Sequence, residues 1–168
     1  NELIMGYPAS VFYNNLLKAD ETVASHRLLP NEEPLEFIDT AGCGFEEKQE
    51  GTSTTNPEEA VFLFKHLSLL VSRLLLQYSP ADFPTIGVIS PYKRQIELLK
   101  EQVGGYPGWQ EILPKISVNT IDSFQGQERD IIYIGLTRTN ADGQIGFLAD
   151  TRRMNVAMTR ARKKLVVI

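Results

Sequence analysis

Four stretches of this chain concentrate side chains that could do chemistry. Ser90-Pro91-Tyr92-Lys93-Arg94-Gln95, Thr120 to Asp130 and Thr137-Arg138-Thr139-Asn140 each follow a short apolar run, and Asp150 to Arg162 precedes the last such run. Taken singly, each is explained by a capped turn, with Asp122 or Ser123 simply starting a helix. Four on one edge of a sheet point instead to a ligand site, because ligands of open α/β sheets meet the carboxyl ends of the strands. From Arg152 to Lys164 the chain also carries Arg152, Arg153, Arg160, Arg162, Lys163 and Lys164 with no acid among them. On a chain of net charge -4 this is a local basic patch on an acidic body, and a solvated helix face is the plainer reading of the same run.

Other chemistries lack their residues. Cys43 is the single cysteine, which excludes an internal disulfide and any thiolate metal cluster. His26 and His66 are far apart, and His66 sits in an apolar helical run that suits a packed histidine better than a ligand. No metal site is expected, and no clustered carboxylates support a nuclease or phosphotransferase. A Gly-x-x-x-x-Gly-Lys-Ser/Thr phosphate loop is absent from the sequence, as is an acidic magnesium motif. With no visible signal peptide and no apolar stretch of bilayer length, an intracellular protein and no membrane partner are expected.

The elements that must position these residues alternate along the chain. Leu35–Thr40, Thr85–Ser90, Ser117–Ile121, Asp130–Leu136 and Lys164–Ile168 read as strands, several continuously apolar as strands covered on both faces are. A long helix runs from Pro57 to about Tyr78, with Asn56 as its N-cap and Glu59 completing a capping box. A second follows Pro91 and ends at Gly104-Gly105, and a third covers Thr151 to about Arg160. This order predicts an α/β fold, a doubly wound parallel sheet with right-handed crossovers. Gly42 to Thr55 reads as a polar, mobile loop and Thr139 to Gly146 as a turn-rich connector. The chain opens at Asn1 without a cap and stops inside an apolar run at Ile168, so residues 1–168 read as one domain of a longer protein.

These residues carry a resemblance. Ser90 to Gln95, Asp122 to Asp130 and, above all, Gly146 to Arg162 resemble motifs of the C-terminal RecA-like domain of superfamily 1 helicases, in the group of senataxin and the nonsense-mediated-decay helicase. The last motif matches that family's motif VI with only Met154 and Met158 in place of leucines, and Tyr7 to Leu17 is similar to the segment after the domain's first motif. The resemblance implies a RecA-like, P-loop-NTPase-type fold without the phosphate loop itself. It implies that Arg160 is the arginine finger, the catalytic residue that reaches the γ-phosphate of ATP. Gly126 and Glu128 then also meet the nucleotide, through a close backbone approach and a hydrogen bond from the ribose. For Glu128 a surface ion pair with Arg129 or a neighbouring lysine stands beside that role.

On the nucleic-acid side the resemblance implies phosphate contacts from Ser90, Thr120, Ser123, Thr137 and Arg138. Tyr92 either stacks on a base or wedges its turn. Arg153 and Asn155 are expected to orient the finger. The partners implied are single-stranded DNA or RNA and an N-terminal RecA-like domain of the same polypeptide, which would hold Mg2+ with the ATP; movement would run 5′→3′. Gln127 departs from the pattern where the family carries a basic residue, and the chain begins after the family's adenine-stacking Tyr-Arg pair. A non-catalytic nucleic-acid-binding or scaffold module derived from a helicase is the alternative.

Overall fold

A computed structural model describes residues 1–124 and 126–168; Gln125, inside the motif from Asp122 to Asp130, lies outside the described residues. In chain order the elements are α1 (Glu2–Phe12), α2 (Glu21–Ala24), β1 (Leu35–Phe37), β2 (Lys48–Glu50), β3 (Ser53–Thr55), α3 (Pro57–Leu75), β4 (Ile86–Ile89), α4 (Lys93–Gly104), β5 (Ile116–Asn119), β6 (Arg129–Ile134), α5 (Thr151–Met158) and β7 (Ala161–Val167). Short 3-10 turns at Pro107–Trp109, Leu113–Lys115, Ile121–Phe124 and Gly146–Ala149 link them.

The five apolar runs form one sheet in the order β1-β7-β6-β4-β5, all parallel. β4 and most of β6 are buried along their length, as their unbroken Ile and Val content requires. One core packs α3, α4 and the Trp109 region on one face; the other packs Ile4 of α1, the Ile121–Phe124 turn and α5 on the opposite face. Connections that step toward β5 use the first face and those that step back toward β7 use the second. All crossovers therefore share one hand, as parallel units require. This is the RecA-like doubly wound arrangement expected from the sequence.

Three local expectations are overturned. Asn1 does cap the opening segment: its Oδ1 accepts from the amides of Leu3 and Ile4, and α1 follows despite Gly6 and Pro8. The polar segment from Gly42 to Thr55 is not a plain loop, since β2 and β3 pair in it as an antiparallel hairpin. Its strands are polar on both faces, so no apolar alternation announces them. The last strand starts at Ala161, three residues early, which takes Arg162 to Lys164 out of any helix. Between Arg129 and Ile131, two steps of β6 match three of β7, from Ala161 to Lys164, so a bulge falls within the basic run.

Candidate functional site

The sequence placed its candidates on one edge; the structure divides them between two. Ser90, Tyr92, Thr137 and Arg138 follow the carboxyl ends of β4 and β6, with Thr120 and Ser123 after β5. Gly126 and Glu128 precede β6, and Arg160 precedes β7, so these three lie at the amino edge. The amide of Arg129 donates to the Arg160 carbonyl there at 2.9 Å. Six residues of β6, at about 3.3 Å each, put roughly 20 Å between the two edges.

At the carboxyl edge β4 and β6 are neighbours whose outgoing connections go to opposite faces, so the crevice between them is the topological switch point. Ser90 and Thr137 sit in it, both fully buried, with their hydroxyls 2.9 Å apart. The two hydroxyls proposed as phosphate donors thus face each other. Thr120 and Ser123, whose hydroxyls lie 3.3 Å apart, keep theirs near the surface. Tyr92 is buried, its ring set edge-on to Phe147 and its hydroxyl accepting from Arg138 Nη1 at 3.2 Å. Arg138 also donates through Nε to Glu47 at 2.8 Å, and the same carboxylate oxygen accepts from the Thr139 amide and Asn140 Nδ2. Burial pushes the Glu47 carboxyl up, but these donors together outweigh it and hold it below its ordinary range.

Beneath this edge lies a buried polar cluster that sequence reasoning missed. Asn56 does cap α3 through its Oδ1, but the capping box is incomplete: Gln95 Oε1, not Glu59, takes the Asn56 amide at 2.8 Å. Glu59 turns inward instead and accepts from the Thr137 amide at 2.6 Å and from Gln95 Nε2 at 3.3 Å. Burial raises the Glu59 carboxyl to about 7 against those two donors. The available signal was Gly135: a Cβ there would lie 2.8 Å from Glu59 Oε1.

At the amino edge Gly126 has a φ of 75°, a left-handed conformation that favours glycine whatever approaches it. Glu128 pairs with Arg162 at 3.4 Å, both well exposed; Arg129 instead donates to the Glu128 carbonyl and to Gln127 Oε1. A cavity of about 700 Å³ opens beside Glu128, lined also by Asp20, Tyr13, Thr159 and Lys163. The basic run is not one patch. Arg153 pairs with Asp150, Lys163 with Asp130, and Lys164 is buried against Glu32 and Glu36. Arg160 has no carboxylate partner among the described residues; its Nε donates to the Val156 carbonyl at 3.0 Å and its Nη2 to Thr159 Oγ1 at 3.3 Å. Exposed Arg152 is likewise unpaired among them. Asn155 and Arg153 make no described contact with Arg160. His66 is packed, bonded to Tyr133 and set 3.3 Å from Glu36. Among the described residues no group of three or more His, Cys, Asp or Glu could hold a metal ion, and no helix is long and apolar enough to cross a membrane.

Comparison with known proteins agrees with this architecture. The family AAA_12, described as an AAA domain, matches residues 1–168. The chain is 37% identical to the DNA polymerase alpha-associated DNA helicase A of Saccharomyces cerevisiae over all of its own length and 26% of that protein's. It is 35% identical to the DNA-binding protein SMUBP-2 of Rattus norvegicus, again over its whole length and 17% of the relative's. Helicase SEN1 of Saccharomyces cerevisiae is 36% identical over 98% of the chain and 8% of its own length. The chain thus spans about a quarter or less of these relatives.

Proposed function

We infer that this chain, which belongs to the AAA_12 family of AAA domains and is a helicase-family domain, is the second RecA-like motor domain of a superfamily 1 helicase. Residues 1–168 would supply one wall of an ATP site and half of a nucleic-acid track, the other halves coming from an N-terminal RecA-like domain of the same polypeptide. The substrate class is single-stranded DNA or RNA and the fuel is ATP with Mg2+. The described residues offer donors for phosphate oxygens and no cluster for the cation, which would be held by the partner domain. ATP-driven closure and opening would step the two domains along the strand, 5′→3′ by likeness to the senataxin branch.

One observation carries this reading. Among the cations around the start of β7, Arg160 has no carboxylate partner among the described residues, beside neighbours that are paired. The α5 carbonyl of Val156 steadies its guanidinium without neutralising it. A planar, permanently charged fork held this way suits charge developing on a transferring phosphoryl group. Gly126 would bring bare backbone to the nucleotide, and Glu128 would trade Arg162 for a ribose hydroxyl.

The test is ATP turnover by the full-length protein. Arg160→Ala should lower turnover by about 10³–10⁵ while ATP affinity changes far less. Arg160→Lys should restore little, and Arg162→Ala should stay near normal. Near-normal turnover by Arg160→Ala would make Arg160 a surface charge and remove its catalytic assignment.

A further inference from the structure

We propose that Glu59 is a positioning residue for the carboxyl edge: with Asn56 and Gln95 it holds Thr137 in a left-handed backbone conformation and thereby sets where Arg138 presents its guanidinium. The proposal rests on the reading of that edge as a nucleic-acid track.

Thr137 has a φ of 71°. A β-branched residue avoids this region, and such a conformation persists only where its surroundings over-determine it. Here three side chains do so. Glu59 Oε2 takes the Thr137 amide at 2.6 Å. Asn56 Nδ2 reaches the Thr137 carbonyl at 3.4 Å and Thr139 Oγ1 at 3.3 Å. Ser90 holds the hydroxyl.

Gln95 fixes the role of Glu59. Its Oε1 accepts from the Asn56 amide and its Nε2 donates to the Asn56 carbonyl at 3.0 Å, so the side-chain amide cannot turn over without losing both bonds. It must therefore offer an N–H to Glu59, which is obliged to accept on both oxygens. Glu59 does this while 3% exposed and with no cation in contact among the described residues. A carboxylate in that setting is costly, and a helix start needs no such group when Asn56 already caps it. Gly135 leaves the space that Glu59 Oε1 fills. The cluster ties α3, α4 and the segment after β6 to one point. Just beyond it, Arg138 is held by Glu47 and Tyr92 through Nε and Nη1, and its Nη2 makes no described hydrogen bond. That free donor is what Glu59 would place.

The experiment is binding of the full-length protein to fluorescein-labelled oligothymidylate and oligouridylate across a salt series, well below the melting temperature of every variant. Arg138→Ala and Glu59→Ala should each weaken binding about tenfold on the preferred strand, and each should reduce the slope of log affinity against log salt by about 0.7, one phosphate contact. Combining them should lower the slope no further. Thr137→Gly, which accepts positive φ freely, should restore the lost slope in the Glu59→Ala background. Glu59→Gln, which keeps an acceptor for the Thr137 amide but turns an N–H toward Gln95 Nε2, should weaken binding by about threefold, less than Glu59→Ala does. It also serves if Glu59→Ala does not fold. If Arg138→Ala moves affinity and slope while Glu59→Ala lowers only thermal stability, or Glu59→Gln behaves as Arg138→Ala does, the positioning role is overturned and the track reading survives. If Arg138→Ala, Thr120→Ala and Ser123→Ala all leave binding unchanged, the track reading itself falls, and the proposal with it.

Discussion

Ser90 Oγ and Thr137 Oγ1 lie 2.9 Å apart across the carboxyl ends of β4 and β6, each the other's partner and neither open to solvent. Two residues that sequence alone offers as separate phosphate donors are thus one internal fastening. Their substitution should register as stability. Ser90→Ala leaves the Thr137 hydroxyl without this partner and should cost about 1–3 kcal/mol in urea melts, with nucleic-acid affinity falling less than in Glu59→Ala. Thr120→Ala and Ser123→Ala should do the reverse. A large affinity loss from Ser90→Ala at unchanged stability would contradict this.

Glu59 makes stability depend on pH in a defined direction. Its carboxyl titrates at about 7 in the fold against 4.5 when free, so the native state holds a proton that the unfolded chain has lost. Its contribution is therefore full below 4.5 and disappears as pH rises through about 7, a difference of about 3 kcal/mol. Unfolding free energies of wild type and Glu59→Gln, compared across this window, isolate it because other titrations cancel. The wild type should lose stability relative to the variant as pH rises; parallel curves would refute the assignment.

Two cations of one basic run should respond unequally. Lys164 is 1% exposed between Glu32 and Glu36, and Arg73 also pairs with Glu32. Lys164→Met breaks a buried network and should cost about 3–5 kcal/mol by thermal or chemical unfolding. Arg162→Ala, at an exposed pair, should leave the melt almost unmoved. Equal effects would mean that the bulge in β7 does not separate their environments.

Gly135→Ala would set a Cβ 2.8 Å from Glu59 Oε1 and 3.3 Å from Leu63 Cδ1. Crowding of this kind costs about 1–3 kcal/mol. Adding Glu59→Ala should recover part of the loss, since it removes the nearer clash; strictly additive losses in a double-mutant cycle would show that Glu59 is not what Gly135 accommodates.

The purified 168-residue chain is expected to fold, to hydrolyse no ATP and to bind single strands weakly. Each phosphate contact it makes should add about 0.7 to the salt slope, with no preference for sequence. Steady turnover by a preparation free of other ATPases would sink the two-domain reading.

The sheet was legible because several of its strands are nearly continuous apolar runs, β4 and β6 above all, whose spacing leaves room for one crossover each. Asn56 and Pro57 likewise announced α3. What the residues concealed was direction. Pattern alone cannot tell that Glu59 turns away from Asn56, since that depends on Gln95 arriving from another helix. Arg160 and Arg138 end on opposite edges because β6 and β7 run parallel, so the connection through α5 has to carry the chain back from the carboxyl edge to the amino edge. The hairpin of β2 and β3 was hidden for a different reason: it buries backbone and threonine rather than an apolar face.

β6 is completely buried from Ile131 to Ile134 and is bonded to β4 on one side and β7 on the other. Close-packed interiors of this kind compress very little. The strands therefore move as one body, and a change of shape within residues 1–168 has to fall in the connections outside them.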